Sequence, residues 1–166
     1  MPTFTQIGSA VTVGAGGAAS IDFTSIPSTY TDLAIVLSVR SSSGTDARIK
    51  FNSSSDSTYS MRSLKGDGSS ASSASESSQT SSWLGNVTNV ANTFNSIGIY
   101  IPNYAGSTAK SFSVENVSEN NGTTAYALMI AGLRNNTAAI TSISIFDAYF
   151  TFQQYSTAYL YGVSNA

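Results

Sequence analysis

The sequence predicts an all-β protein, an antiparallel sandwich or barrel. Apolar residues recur with a period of two in one segment after another, polar turn residues separate those segments, and no stretch carries the 3.6-residue period of an amphipathic helix. The size agrees: at 166 residues without cysteine, one domain is expected, and roughly two thirds of the extended surface can be buried without a metal or a disulfide.

The elements follow in order. Ala19 to Thr24 carries Ile21 and Phe23 in alternation before Pro27 stops it. Thr31 to Ser41 sets Leu33, Ile35, Leu37 and Val39 on one face and Ala34, Val36, Ser38 and Arg40 on the other, a long strand with one face in the core. Asp46 to Asn52 repeats this with Ala47, Ile49 and Phe51 inward, and the intervening Ser43-Gly44-Thr45 is turn material, so the two are expected to form a hairpin. Tyr59 to Lys65 is a less regular strand built on Tyr59, Met61 and Leu64. Gly66 to Ser82 is dominated by Ser, a composition that buries little apolar area, and is expected to be a long excursion. Trp83, the only tryptophan, follows it, either covering the end of the core or anchoring an interface.

Phe94 to Ile101 alternates Ile97, Ile99 and Ile101, and Lys110 to Val117 sets Phe112 and Val114 against Ser111, Ser113 and Glu115. Thr124 to Leu133 has apolar residues on both faces and reads as a buried strand. Ala139 to Phe146 carries Ile143 and Ile145 in phase, and Ala158 to Val163 closes the chain with Tyr159, Tyr161 and Val163. Residues 1–18 then form an N-terminal arm, and residues 19–166 a single β-domain with a Ser-rich loop insertion at 66–85. The start of the chain has no signal-peptide pattern, and no window approaches a membrane span, so a soluble protein is expected.

The absence of His and Cys removes thiol nucleophiles, His-based triads and imidazole or thiolate metal sites. Charged residues are 10% of the chain, against about 25% in ordinary soluble domains, with a net charge of −2. Arg40, Arg48, Lys50, Arg62, Lys65, Lys110 and Arg134 are scattered, which argues against a nucleic-acid stripe. Paired carboxylates could still cleave glycosides, but Asp22, Asp32, Asp46, Asp56, Asp67, Glu76, Glu115, Glu119 and Asp147 mostly lie at strand ends and turns, where Asp serves turn geometry. Asn52 to Asp56 and Asp67-Gly68 lack the acidic spacing of a calcium loop, and Gly14 to Gly17 lacks the ending of a phosphate loop. Neither a catalytic residue nor a cofactor or metal is therefore expected. The Asn-X-Ser/Thr triplets at Asn52, Asn86, Asn116, Asn121 and Asn135 follow from composition. Tyr149, Tyr155, Tyr159 and Tyr161 crowd the C-terminal part, and aromatic faces with nearby amides and hydroxyls suit glycan contact.

Several motifs carry a resemblance. Ile26-Pro27, Thr29-Tyr30-Thr31-Asp32-Leu33, Val39-Arg40-Ser41 and Phe51-Asn52 resemble the opening of a group of small virion proteins of tailed bacteriophages. Ile101-Pro102-Asn103-Tyr104-Ala105 resembles that group's central motif, and Ala139 to Ile143 with Ser156 to Val163 its C-terminal signature. The likeness spans about Ile21 to Val163. It implies a structural place in a phage particle and transfers no active-site residue.

No heptad or repeat supplies a fibre stalk. The expected protein is therefore a capsid decoration or cement protein with a jelly-roll-like sandwich, bound to the major capsid protein and self-associating as a homotrimer. It is expected on the capsid surface, without enzymatic activity and without nucleic-acid or membrane partners. Phe4, Ile7, Val11, Val13 and Trp83 are the candidate interface residues. The alternative is a tail-fibre or receptor-binding head that contacts host glycan through Tyr149 and Tyr155; a carboxylate glycosidase is a distant third.

Overall fold

The computed structural model describes residues 1–44, 46–120, 125–147 and 149–164, and these form thirteen strands and no helix. In chain order they are β1 (Thr3–Gln6), β2 (Val11–Thr12), β3 (Ser20–Phe23), β4 (Asp32–Val39), β5 (Asp46–Phe51), β6 (Tyr59–Gly66) and β7 (Ala71–Gln79). The remainder are β8 (Ser82–Asn86), β9 (Asn95–Ile101), β10 (Lys110–Ser118), β11 (Tyr126–Arg134), β12 (Ile143–Asp147) and β13 (Thr157–Ser164). A nine-stranded sheet runs β1-β13-β4-β9-β10-β11-β6-β7, with β2 also paired to β13, and a four-stranded sheet runs β3-β12-β5-β8. Every pairing is antiparallel. The fold is an all-β sandwich of these two sheets.

Period-two alternation decides what each strand buries. Leu33, Ile35, Leu37 and Val39 of β4, Ile97, Ile99 and Ile101 of β9, and Ala47, Ile49 and Phe51 of β5 are all buried in one core. Each such Ile, Leu or Phe contributes roughly 1.5–3 kcal/mol by leaving water. The two sheets lock through aromatic rings: Phe51 of β5 meets Phe112 of β10 edge-on at 5.5 Å between centroids, and its N–H donates to the Tyr59 hydroxyl at 2.7 Å. Gly132 makes room for this, because a Cβ there would overlap the Phe112 ring.

Four expectations need correction. β4 and β5 are not a hairpin: β4 lies between β13 and β9, β5 between β12 and β8, and the connection crosses from one sheet to the other. Alternation says which face is buried but not which strand lies alongside. Thr45 of the expected turn, Thr124 at the start of an expected strand and Asn121 lie outside the described residues.

The Ser-rich stretch is β7 and most of β8 rather than a loop. Its turn is set by Asp67, whose carboxylate accepts the N–H groups of Ser69 at 3.0 Å and Ser70 at 2.8 Å, while Gly68 takes a φ of +87°. Backbone pairing with β6 then holds β7 without side-chain burial, and the Arg48–Glu76 ion pair at 3.0 Å ties it to β5.

The arm is not free either. β1 and β2 pair with β13 of the same chain, and Val13 is 3% exposed within the core, so it packs its own fold. Finally, β11 is buried on one face only, with Ala127, Met129 and Ala131 exposed on the other.

Candidate functional site

The two outer faces of the sandwich differ sharply in charge. On the large sheet, register aligns Tyr159, Val36, Gly98, Glu115, Met129 and Leu64 across the six strands β13, β4, β9, β10, β11 and β6. The next row aligns Tyr161, Ala34, Tyr100, Ser113, Ala131 and Arg62 on the same strands. Val36 (49% exposed), Met129 (62%) and Leu64 (57%) stand open to solvent. The charges on the outward positions of these strands are Asp32, Arg62 and Glu115. Asp32 sits at the rim, accepting hydrogen bonds from the Tyr100 hydroxyl at 2.6 Å and the Asn103 N–H at 2.8 Å; its carboxylate raises the Tyr100 pKa. The small sheet instead turns Asp22, Asp46, Arg48 and Lys50 outward, with Lys50 lying 5.7 Å from the Phe146 ring centroid.

A cleft of about 400 Å³ opens at one end of the sandwich. Ser43 and Gly44 of the β4–β5 connection, Lys65 and Asp67 of the β6–β7 hairpin, Asn86 at the end of β8 with Val87 to Asn89 after it, Ser118 and Asn120 at the end of β10, and Ala125 and Tyr126 at the start of β11 line it. A buried amide network backs the lining residues Asn86 and Thr88. Asn95 accepts the Thr88 N–H at 2.7 Å and donates to Asn116 Oδ1 at 2.7 Å, and Asn116 donates to Leu84 O at 2.9 Å. The Tyr126 hydroxyl donates to Asn86 O, and burial pushes its pKa up to about 12. Asn95 and Asn116 are fully buried, so these bonds tie β8 of one sheet to β9 and β10 of the other and hold the cleft in shape.

The predicted site residues separate into two groups. Phe4 is 57% exposed on β1, whereas Ile7, Val11 and Trp83 are half-buried against the core. Trp83 faces outward on β8 beside Arg48 and covers the edge of the small sheet, with its indole N–H buried and unpaired. Tyr149 (76% exposed) and Tyr155 (67%) flank the buried Phe152 on the β12–β13 connection. That connection runs beside one wall of the cleft, where the Ser42 N–H donates to Thr151 O at 3.0 Å.

Several carboxylates have structural partners: Asp46 accepts from Asn86 at 2.9 Å, Asp56 meets Arg134 at 3.4 Å, and Asp147 accepts from Ser41 at 2.7 Å. The hydrogen bond from Ser54 leads the lowering of the Asp56 pKa. The outward residues of β4, β9, β10, β11 and β6 were not singled out from sequence. Their one signal was the apolar character of β11 on both phases.

No protein family, curated protein or solved structure matches the chain.

Proposed function

We propose that this protein is a structural component of a bacteriophage virion, a capsid decoration or cement protein that lies on the major capsid protein lattice and stabilises the head. The observation that carries this reading is the broad outer face of the large sheet, with small polar residues, scattered exposed apolar side chains and few charges. Six strands about 4.8 Å apart and some seven residues long span about 24 by 24 Å, about 580 Å², or roughly 70% of the 800 Å² or so that each partner gives to a standard interface. Covering Met129, Val36 and Leu64 supplies the apolar gain at about 25 cal/mol per Å². The Ser-rich remainder accepts hydrogen bonds without the cost of burying charge. Self-association, expected as a trimer, would multiply this modest area by avidity. The strand order supports the jelly-roll-like reading, since β3-β12-β5-β8 faces a sheet in which β4 and the β6–β7 pair flank the β9–β10–β11 meander.

The polar cleft favours a second reading, a tail-located receptor-binding head. Amides, hydroxyls and Tyr126 in a cavity of that size, with Tyr149 and Tyr155 exposed on the neighbouring connection, suit a glycan. Quantitative mass spectrometry of purified particles separates the two. Hundreds of copies per particle are expected for decoration, and a few copies together with glycan binding lost on Tyr155→Ala would transfer the assignment to the tail.

A further inference from the structure

The free edge of β7 is unusual. Nine residues, Ala71–Gln79, form the outermost strand of the large sheet, and nearly all of them are exposed on both faces. Natural edge strands are usually blunted by Lys, Pro, an inward charge or shortness. Here the sequence is ASSASESSQ, without Lys or Pro, and its one charge, Glu76, is turned to Arg48 of its own chain.

Two registers fix where the backbone groups of β7 point. Antiparallel pairs alternate between hydrogen-bonded and non-hydrogen-bonded positions. The Asp67 N–H donates to Ser70 O, which makes Lys65↔Ser72 and Ser63↔Ala74 the bonded pairs of β6 with β7. On the other side of β6, the Asn135 N–H donates to Thr58 O, which assigns Leu64 and Arg62 to bonding with β11. Both constraints give the same parity. Ala71, Ser73 and Ser75 therefore direct their N–H and C=O groups away from β6, across the open edge.

We propose that this edge pairs with the same edge of a second copy, antiparallel about Ser73. Ser73 then faces its own counterpart, and Ala71 faces Ser75 of the other copy in both directions. Only Ala and Ser side chains oppose one another. The two Glu76 residues stand six positions apart along the paired strands, about 20 Å, so like charges do not meet. Between Ala71 and Ser75 the edge carries no large or charged side chain to recognise a different partner, whereas its composition is self-complementary under a two-fold. The axis is perpendicular to the sheet, so the two large outer faces become one continuous surface. A contact of a few backbone pairs buries less than a standard interface, so the pair is weak in solution and grows with concentration.

The chain has no cysteine, which makes a cross-linking test clean. Directly bonded antiparallel residues have Cα atoms about 5.5 Å apart, within disulfide range. Ser73→Cys is expected to form covalent dimers under mild oxidation at least tenfold faster than Ser69→Cys, which lies eight positions out of register with itself. Ser73→Pro removes an N–H that β6 does not use, so it leaves the strand content seen by circular dichroism unchanged. It is expected to abolish the concentration-dependent pair seen by analytical ultracentrifugation. Equal cross-linking at positions 69 and 73, or an assembly that Ser73→Pro leaves intact, overturns the proposal.

Discussion

The outer faces of the two sheets are built from the same alternation yet do different work. On the small sheet, Arg48 reaches across to Glu76 of the edge strand β7, and Lys50 lies over Phe146 of the adjacent strand, so outward charges are engaged within the fold itself. On the large sheet, the rows through Val36 and Met129 place few charges outward, and side chains that strands usually bury stay open. A charged face is solvated and self-sufficient. An uncharged one of this breadth is costly to leave bare and inexpensive to cover. The difference is what favours the large sheet's outer face as the contact side of the proposed reading.

The comparison breaks most readily at Met129. Met129→Lys places a long cationic side chain opposite Glu115 on the proposed contact face, where it must be stripped of water on binding, and is expected to reduce binding to particles about 1,000-fold, or about 4 kcal/mol. Folding stability should change by no more than about 0.5 kcal/mol, because the position is exposed. Ser144→Lys on the small sheet should leave particle binding unchanged, and a loss there equal to that at Met129 would erase the distinction between the faces. Both are read by co-sedimentation with particles stripped of the protein.

A smaller effect sharpens the same contrast from the joint between the sheets. Tyr126→Phe removes the hydroxyl that donates to Asn86 O and should cost about 1 kcal/mol in denaturant unfolding with no change in particle binding, the reverse of Met129→Lys. Burial raises the folded pKa of Tyr126 to about 12, above the ordinary tyrosine value of 10.0. Its contribution is therefore fully present below pH 10 and is lost as the pH rises towards 12. Tyr126→Phe should remove that part of the alkaline decline.

The alternation made most of the core legible: the inward residues of β4, β5, β9 and β12 are those the period-two pattern selects. Pairing was not legible, because β4 and β5 alternate alike and nothing in either names its neighbour. β7 was missed because composition reports what a segment can bury, while a strand can form on backbone bonds and a turn set by Asp67 alone. Lys110 shows the limit in the opposite direction. It lies on the inward phase of β10 and is buried, with its ammonium donating to the carbonyls of Gly106, Thr108 and Thr137. Burial lowers its pKa, with the Arg134 charge adding to the effect. Of the site, the double apolar phase of β11 was visible, yet only the sheet order shows that the second phase faces outward and aligns with Val36 and Leu64. The buried asparagine network behind the cleft brings together residues scattered along the chain, which no local pattern reveals.

The central claim, that the outer face of the large sheet is the covered one, is tested most directly by methionine oxidation in intact virions. Met129 is 62% exposed in the free chain and Met61 is 3% exposed, so peroxide should convert Met129 rapidly and Met61 slowly in the isolated protein. In the particle, mass spectrometry should find Met129 protected at least tenfold relative to the free chain. Oxidation of Met129 at the free-chain rate in virions that carry the protein would contradict the account.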